Sequence, residues 1–136
     1  MSARVSIDTN VLVRLLVNDD ASQQALAQAA LTRYARQAQS VWVPVTVMLE
    51  LDWVLRSRYQ LAKAEVVRTF HALLATMELD FQAEEALEQA LASYEDGAAD
   101  FADCLHLALS RKAEALPFLT FDTKVSRLDG ACLLSS

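Results

Sequence analysis

Short apolar runs alternate with longer amphipathic stretches along the chain. Arg4-Val5-Ser6-Ile7 ends in the polar triplet Asp8-Thr9-Asn10, and Val11, Leu12, Leu15 and Leu16 then recur at helical spacing, which reads as strand, tight turn and helix. Asp19 or Asp20 caps a long Ala-, Leu- and Gln-rich helix through Gln39, with Leu26, Ala30 and Tyr34 on its expected inner face. Ser40-Val41-Trp42-Val43 reads as a second strand. Pro44 follows it, and Thr46 then serves as N-cap for a helix from Val47 to Tyr59. Lys63 to Ala75 is a further helix with Val66, Val67, Phe70, Leu73 and Leu74 on one side, and Met77-Glu78-Leu79 is a minimal third strand. Ala83 to Tyr94 form another helix, broken at Glu95-Asp96-Gly97. Asp100 begins a helix running to Ala113, Phe118 to Phe121 form a fourth strand that delivers Asp122, and Ala131 to Leu134 a last one.

Strands alternating with helices predict an α/β fold: a three-layer α/β/α sandwich whose central, mainly parallel twisted sheet is covered on both faces. In such sheets the carboxyl ends of the strands face the binding crevice, so Asp8 is expected at the mouth of a site. The 136 residues suit a single domain, 1–136, that buries about two-thirds of its unfolded surface, and no repeat, low-complexity tract or linker divides them.

Composition narrows the function. Hydrophobic residues make up 54% and the mean hydropathy is +0.19, yet no apolar run approaches the ~18 residues of a membrane span, and Met1-Ser2-Ala3-Arg4 carries no signal pattern. A soluble, cytoplasmic chain with no membrane partner is the expectation. Cys104 and Cys132 are too few and too far apart for a metal-ligand pattern, and they read as reduced thiols. A net charge of -6 argues against nucleic-acid binding through bulk basic charge. It leaves room for a nuclease, because divalent cations held by converging carboxylates would neutralise the field that repels phosphate.

The acids that matter are Asp8 after strand one, Glu50 near a helix start, Asp100 and Asp103 at a helix start, and Asp122 after strand four. Several carboxylates around one pocket suit Mg²⁺ or Mn²⁺, which take oxygen ligands and promote in-line displacement at phosphorus. Asp8, Asp100 and Asp122 also occupy positions where Asp is favoured as a cap or turn residue. Glu50 is flanked by large apolar side chains, and a carboxylate half-buried there calls for a partner.

Four strings in order carry a family resemblance: Ile7-Asp8-Thr9-Asn10-Val11-Leu12-Val13-Arg14, Pro44 through Glu50 to Leu55, Asp100-Phe101-Ala102-Asp103-Cys104-Leu105-His106, and Thr120-Phe121-Asp122-Thr123-Lys124. Together they resemble a PIN domain, and more narrowly the VapC-type toxins of bacterial toxin-antitoxin pairs. The resemblance implies an endoribonuclease that hydrolyses RNA phosphodiesters by metal-activated water, with Asp8, Glu50, Asp103 and Asp122 as its acidic quartet. Asp8 and Asp103 would be the principal Mg²⁺ or Mn²⁺ ligands, Glu50 would bind a metal or its water, and Asp122 would complete the cluster. Asp100 would be either a further ligand or the cap of its helix, the cap being favoured. Thr9, Asn10 and Thr120 stand next to ligands and could orient them. The chain departs from the family pattern at Thr123, where a second basic residue is expected, leaving Lys124 and Arg127 as the nearest phosphate contacts. Arg14, Arg56, Arg58 and Lys63 read equally as a solvated face and as an RNA-guiding rim. The partners that the resemblance implies are RNA, a second copy in a homodimer, and an antitoxin whose C-terminal segment crosses the acidic groove and inserts a basic side chain.

Other side chains have plainer readings. His71 and His106 read as core or partly exposed histidines rather than general bases, and Trp42 and Trp53 as core or interface residues, with base stacking as the other reading. Two rivals to the nuclease stand. An aspartate-nucleophile phosphatase wants a second acid where the chain has Asn10; a non-catalytic PIN-like binding module would not need all four acids.

Overall fold

The structure, a computed structural model, describes residues 4–135. The chain divides into two compact units, one running to Gln82 and the other starting at Ala83.

The first unit is built on three parallel strands, β1 (Arg4–Ser6), β2 (Ser40–Val43) and β3 (Leu79–Phe81), in the order β1-β2-β3. Pairing of Val5 with Val41, Val41 with Leu79 and Val43 with Phe81 stacks the apolar side chains in rows on one face; Ser6, Trp42 and Asp80 make a row on the other. That register moves the third strand two residues beyond the expected Met77–Leu79. Leu79 and Phe81 are the residues that alternate inward, while Met77 lies in the preceding turn and is exposed. On the polar face Arg4 pairs with Asp80 (3.1 Å) and lies over the Trp42 ring.

Among the described residues, four helices complete this unit: α1 (Thr9–Leu16), α2 (Ala21–Arg36), α3 (Val45–Ser57) and α4 (Lys63–Leu74). Asp20 caps α2 by accepting from the Gln23 N–H (2.9 Å). The buried position of α2 is Ala27 rather than Leu26, which is 69% exposed, so the inner face lies one residue from the expected one. α3 starts at Val45, not after Thr46. Pro44 holds the N-cap position and its carbonyl accepts from Val47, while the orphan Val45 N–H is satisfied by the Gln82 side-chain oxygen (2.9 Å). Met48, Leu51 and Leu55 are buried with Val66 and Phe70 of α4 in the core of the unit.

The second unit contains α5 (Glu84–Asp96), α6 (Phe101–Lys112) and a pair of parallel strands, β4 (Phe118–Thr120) and β5 (Ala131–Leu133), joined through a 3-10 turn at Val125–Arg127. Its core is the α5–α6 seam: Leu87, Ala90 and Leu91 with Phe101, Leu105 and Ala108, closed by the Tyr94 and Phe101 rings edge to face at 5.8 Å. Gly97 ends α5 in extended backbone, consistent with the expected break. Among the described residues all strand pairing is parallel, as the alternation of elements predicts. Among the described residues no helix is long and apolar enough to cross a membrane.

Candidate functional site

In the first unit the ladder of β1 continues through the Ile7 N–H to the Trp42 carbonyl (3.3 Å), and the chain then turns at Asp8. Asp8 is exposed and is the N-cap of α1: its Oδ1 accepts from the Val11 N–H at 3.1 Å, leaving Oδ2 outside the cap. The next residue, Thr9, is 5% exposed, and its hydroxyl donates to Oε1 of Glu50, in the second turn of α3. The bond crosses forty-one residues of sequence and carries Glu50 to the residue beside Asp8. Glu50 is exposed, not half-buried, because α3 turns Met48, Leu51 and Leu55 inward and Glu50 away from them. The partner its setting called for is a threonine hydroxyl. Asn10 is exposed one residue into α1.

Asp8 borders two clefts. One, about 560 Å³, runs over the exit of β1 and the start of α3, with Ile7, Val11, Tyr34, Pro44 and Val47 among its walls. The other, about 390 Å³, lies between α1 and α2 and is edged by Asn10, Arg14 and Gln23. Arg14 donates to Asp19 (2.8 Å), to Gln23 (2.6 Å) and more distantly to the Tyr59 hydroxyl (3.4 Å), while Tyr59 donates to Asp19 (2.8 Å). The Tyr59 hydroxyl first, and Arg14 with it, hold the Asp19 carboxyl below the usual carboxylate range; Tyr59 and Asp19 hold the Arg14 guanidinium above its ordinary value.

The buried carboxylate of α3 is Asp52, 1% exposed, which the sequence reading passed over. Arg56, one turn on, grips it with two nitrogens (2.8 and 3.1 Å). The signal was present in the sequence as an i, i+4 acid–arginine pair beside buried leucines. Arg56 is therefore bound to Asp52 rather than set in a solvated face.

In the second unit Asp100 is the N-cap of α6 by backbone conformation, but its carboxylate makes no capping bond. It does not act as the side-chain cap that the sequence favours. Asp103, in the first turn of α6, is partly buried. Burial, and after it the negative charges of Asp100 and Asp122, push its carboxyl above the ordinary range, opposed by His106 one turn along the helix. Asp122 leaves β4 and opens a turn: its Oδ1 accepts from the N–H groups of Lys124 (2.7 Å) and Val125 (3.3 Å), and its own N–H donates to the Thr120 hydroxyl (3.0 Å). Lys124 and Arg127 are exposed and, among the described residues, in no ion pair with a carboxylate. His71 and His106 are both exposed.

The structure thus joins Thr9 to Glu50 and Thr120 to Asp122, and sets Asp103 in the field of Asp100 and Asp122. Within neither unit do three Asp, Glu, His or Cys side chains of the described residues gather closely enough to hold a metal ion. The donor chemistry nevertheless fits a hard divalent cation: oxygen ligands only, with mutual repulsion at Asp103 that a cation would relieve.

The family model for the PIN domain matches residues 5–131, a span that includes every one of these acids. The chain belongs to the PIN domain family. Among solved structures it is similar to Mycobacterium tuberculosis VapC20, described as a sarcin-ricin loop cleaving toxin. The identity is 19%, the match covers 93% of this chain and 96% of that one, and the TM-score is 0.40. No curated protein matches the chain. As a PIN domain it has the α/β fold that its alternating elements predict.

Proposed function

We propose that this chain is a divalent-metal-dependent endoribonuclease, the toxin of a toxin-antitoxin pair, acting in the cytoplasm as a single PIN domain over 1–136. One observation carries the reading. In a PIN-family chain, Asp8 and Asp122 stand at strand exits and Glu50 and Asp103 in the first two turns of helices, with Glu50 held by the Thr9 hydroxyl and Asp122 by that of Thr120.

In this reading Asp8 and Asp103 hold Mg²⁺ or Mn²⁺, Glu50 and Asp122 complete the ligand set, and Asp100, whose carboxylate caps nothing, is a further ligand. A cation held there would supply positive charge against the scissile phosphate and lower the pKa of a water for in-line attack. Thr9 restricts Glu50 to one orientation, Thr120 fixes the backbone of Asp122, and Asn10 presents its amide beside Asp8. Lys124 and Arg127 contact the RNA phosphates, and Arg14 adds its charge from within the Asp19–Tyr59–Gln23 network. Partners beyond RNA are a second copy of the chain and an antitoxin that places a basic side chain against the acids. Exposed Leu119 and Phe121 beside Asp122 support a covering partner.

The test is cleavage of a panel of structured RNAs by purified chain in Mg²⁺, in Mn²⁺ and in EDTA, with Asp8→Asn as control. Asn keeps the α1 cap that Asp8 provides, so the variant removes charge without removing the helix start. Discrete cuts that require metal and disappear in the variant are expected. Metal-independent cutting, or none by a folded chain that still binds Mn²⁺, rejects the reading.

A further inference from the structure

Trp53 is 63% exposed on α3, although an indole has more apolar surface to bury than any other side chain in that helix. Its neighbours explain the exposure. Met48, Leu51, Asp52 and Leu55 take the inward face, so Trp53 shares the outward one with Glu50, three residues before it. At that spacing the two Cβ atoms lie about 5–6 Å apart. The orientation of that face is not arbitrary: the Thr9 hydroxyl, at the start of α1, holds Glu50 and so marks the side of α3 that belongs to the candidate active site. Around Trp53, Arg56 grips Asp52, the residue before it, and the Ser57 hydroxyl donates to the Trp53 carbonyl (2.6 Å).

A large, exposed, flat π-surface one helical turn from a candidate catalytic carboxylate suits an unpaired nucleobase. Single-stranded RNA is recognised largely by stacking splayed bases on aromatic side chains, and this suits a chain whose net charge of -6 denies it attraction of phosphates through bulk basic charge. We infer that Trp53 is the stacking platform for a base of single-stranded RNA next to the bond that is cut. The inference rests on the nuclease reading and adds to it where the substrate must be unpaired. An exposed indole could otherwise be covered by a second copy of the chain; its place one turn from Glu50 favours the nucleic acid.

The experiment titrates wild type, Trp53→Ala and Trp53→Phe with a cleavage-resistant 2′-O-methyl RNA oligonucleotide in Mg²⁺. Affinity is read for all three from the anisotropy of a 5′-fluorescein label on the oligonucleotide, Trp53 quenching is read separately in a Trp42→Phe protein that keeps Trp53 as its one tryptophan, and sedimentation is run on each variant. The expected result is quenching of Trp53 on binding, and an affinity reduced about 5- to 150-fold in Trp53→Ala. Trp53→Phe, which keeps a ring, should recover most of that affinity, and all three proteins should sediment alike. Equal affinity in Trp53→Ala, or a change confined to the oligomeric state, overturns the inference while leaving the nuclease reading intact. A wild type that neither binds the oligonucleotide nor cuts RNA overturns both.

Discussion

Replacing Thr9 by Val isolates the one contact that joins the α1 start to Glu50. The two side chains have nearly the same shape, and Thr9 is buried, so Val fills the space without opening a cavity. What is lost is a hydrogen bond to a carboxylate, worth about 1.5–3 kcal/mol where the partner stays dry. Glu50 is exposed, however, and water can take the vacated place. The expected cost to folding is therefore about 1 kcal/mol or less, a fall in Tm of a few degrees for a chain of this size. The cost to the site should be larger, because the carboxylate regains the rotamers that the hydroxyl denied it. Loss of a residue that orients a metal ligand typically lowers metal affinity or activity about 10- to 100-fold. Calorimetric titration with Mn²⁺, beside thermal unfolding in EDTA, separates the two effects. Thr9→Ser, which keeps the hydroxyl, should restore most of the affinity. A folded Thr9→Val protein with Mn²⁺ affinity and cleavage within about two-fold of wild type would refute the reasoning, as would a Thr9→Ser protein as impaired as Thr9→Val.

Two further outcomes follow from the geometry. The Asp103 carboxyl lies above the ordinary range because of burial, with Asp100 and Asp122 adding to it, so the folded chain binds that proton more tightly than the unfolded chain does. Its contribution to stability is most favourable below the ordinary carboxylate pKa and worsens as pH rises from there through the raised value; Asp103→Asn should therefore unfold at or above the wild-type Tm in EDTA near neutral pH, with the gap closing in acid, and the opposite ordering would contradict the assignment. At the end of α2, Ala38 has φ +55° between paired turns in which Gln39 donates to the Tyr34 carbonyl (2.9 Å) and Ala38 to that of Ala35 (3.1 Å), a position glycine fills without strain. Ala38→Gly should stabilise the chain by about 0.5–1 kcal/mol in denaturant unfolding, the relief of the left-handed penalty exceeding the added freedom of the unfolded chain, and a loss of stability would argue against that backbone conformation.

Much of this was legible in the sequence because it is local. The strand-turn-helix at Asp8, the N-cap at Asp20, the break at Gly97 and the turn at Asp122 each depend on a few adjacent residues whose side chains satisfy adjacent backbone groups. The order of the four acidic strings was equally plain, and with it the family.

What the sequence could not decide is non-local. The third strand slid two residues because pairing with β2, not its own hydrophobicity, chose which side chains turn inward. The inner face of α2 moved from Leu26 to Ala27, and α3 began early because Gln82, far along the chain, satisfies the Val45 N–H. Helical periodicity fixes which residues share a face, but only packing fixes which face is buried. That distinction reassigned α3: Asp52 became the buried acid held by Arg56, and Glu50 became an exposed acid held by Thr9. Trp53, which the sequence alone leaves between a core or interface residue and a base-stacking one, stands in the open beside Glu50, because Met48, Leu51 and Leu55 fill the inward places on its helix.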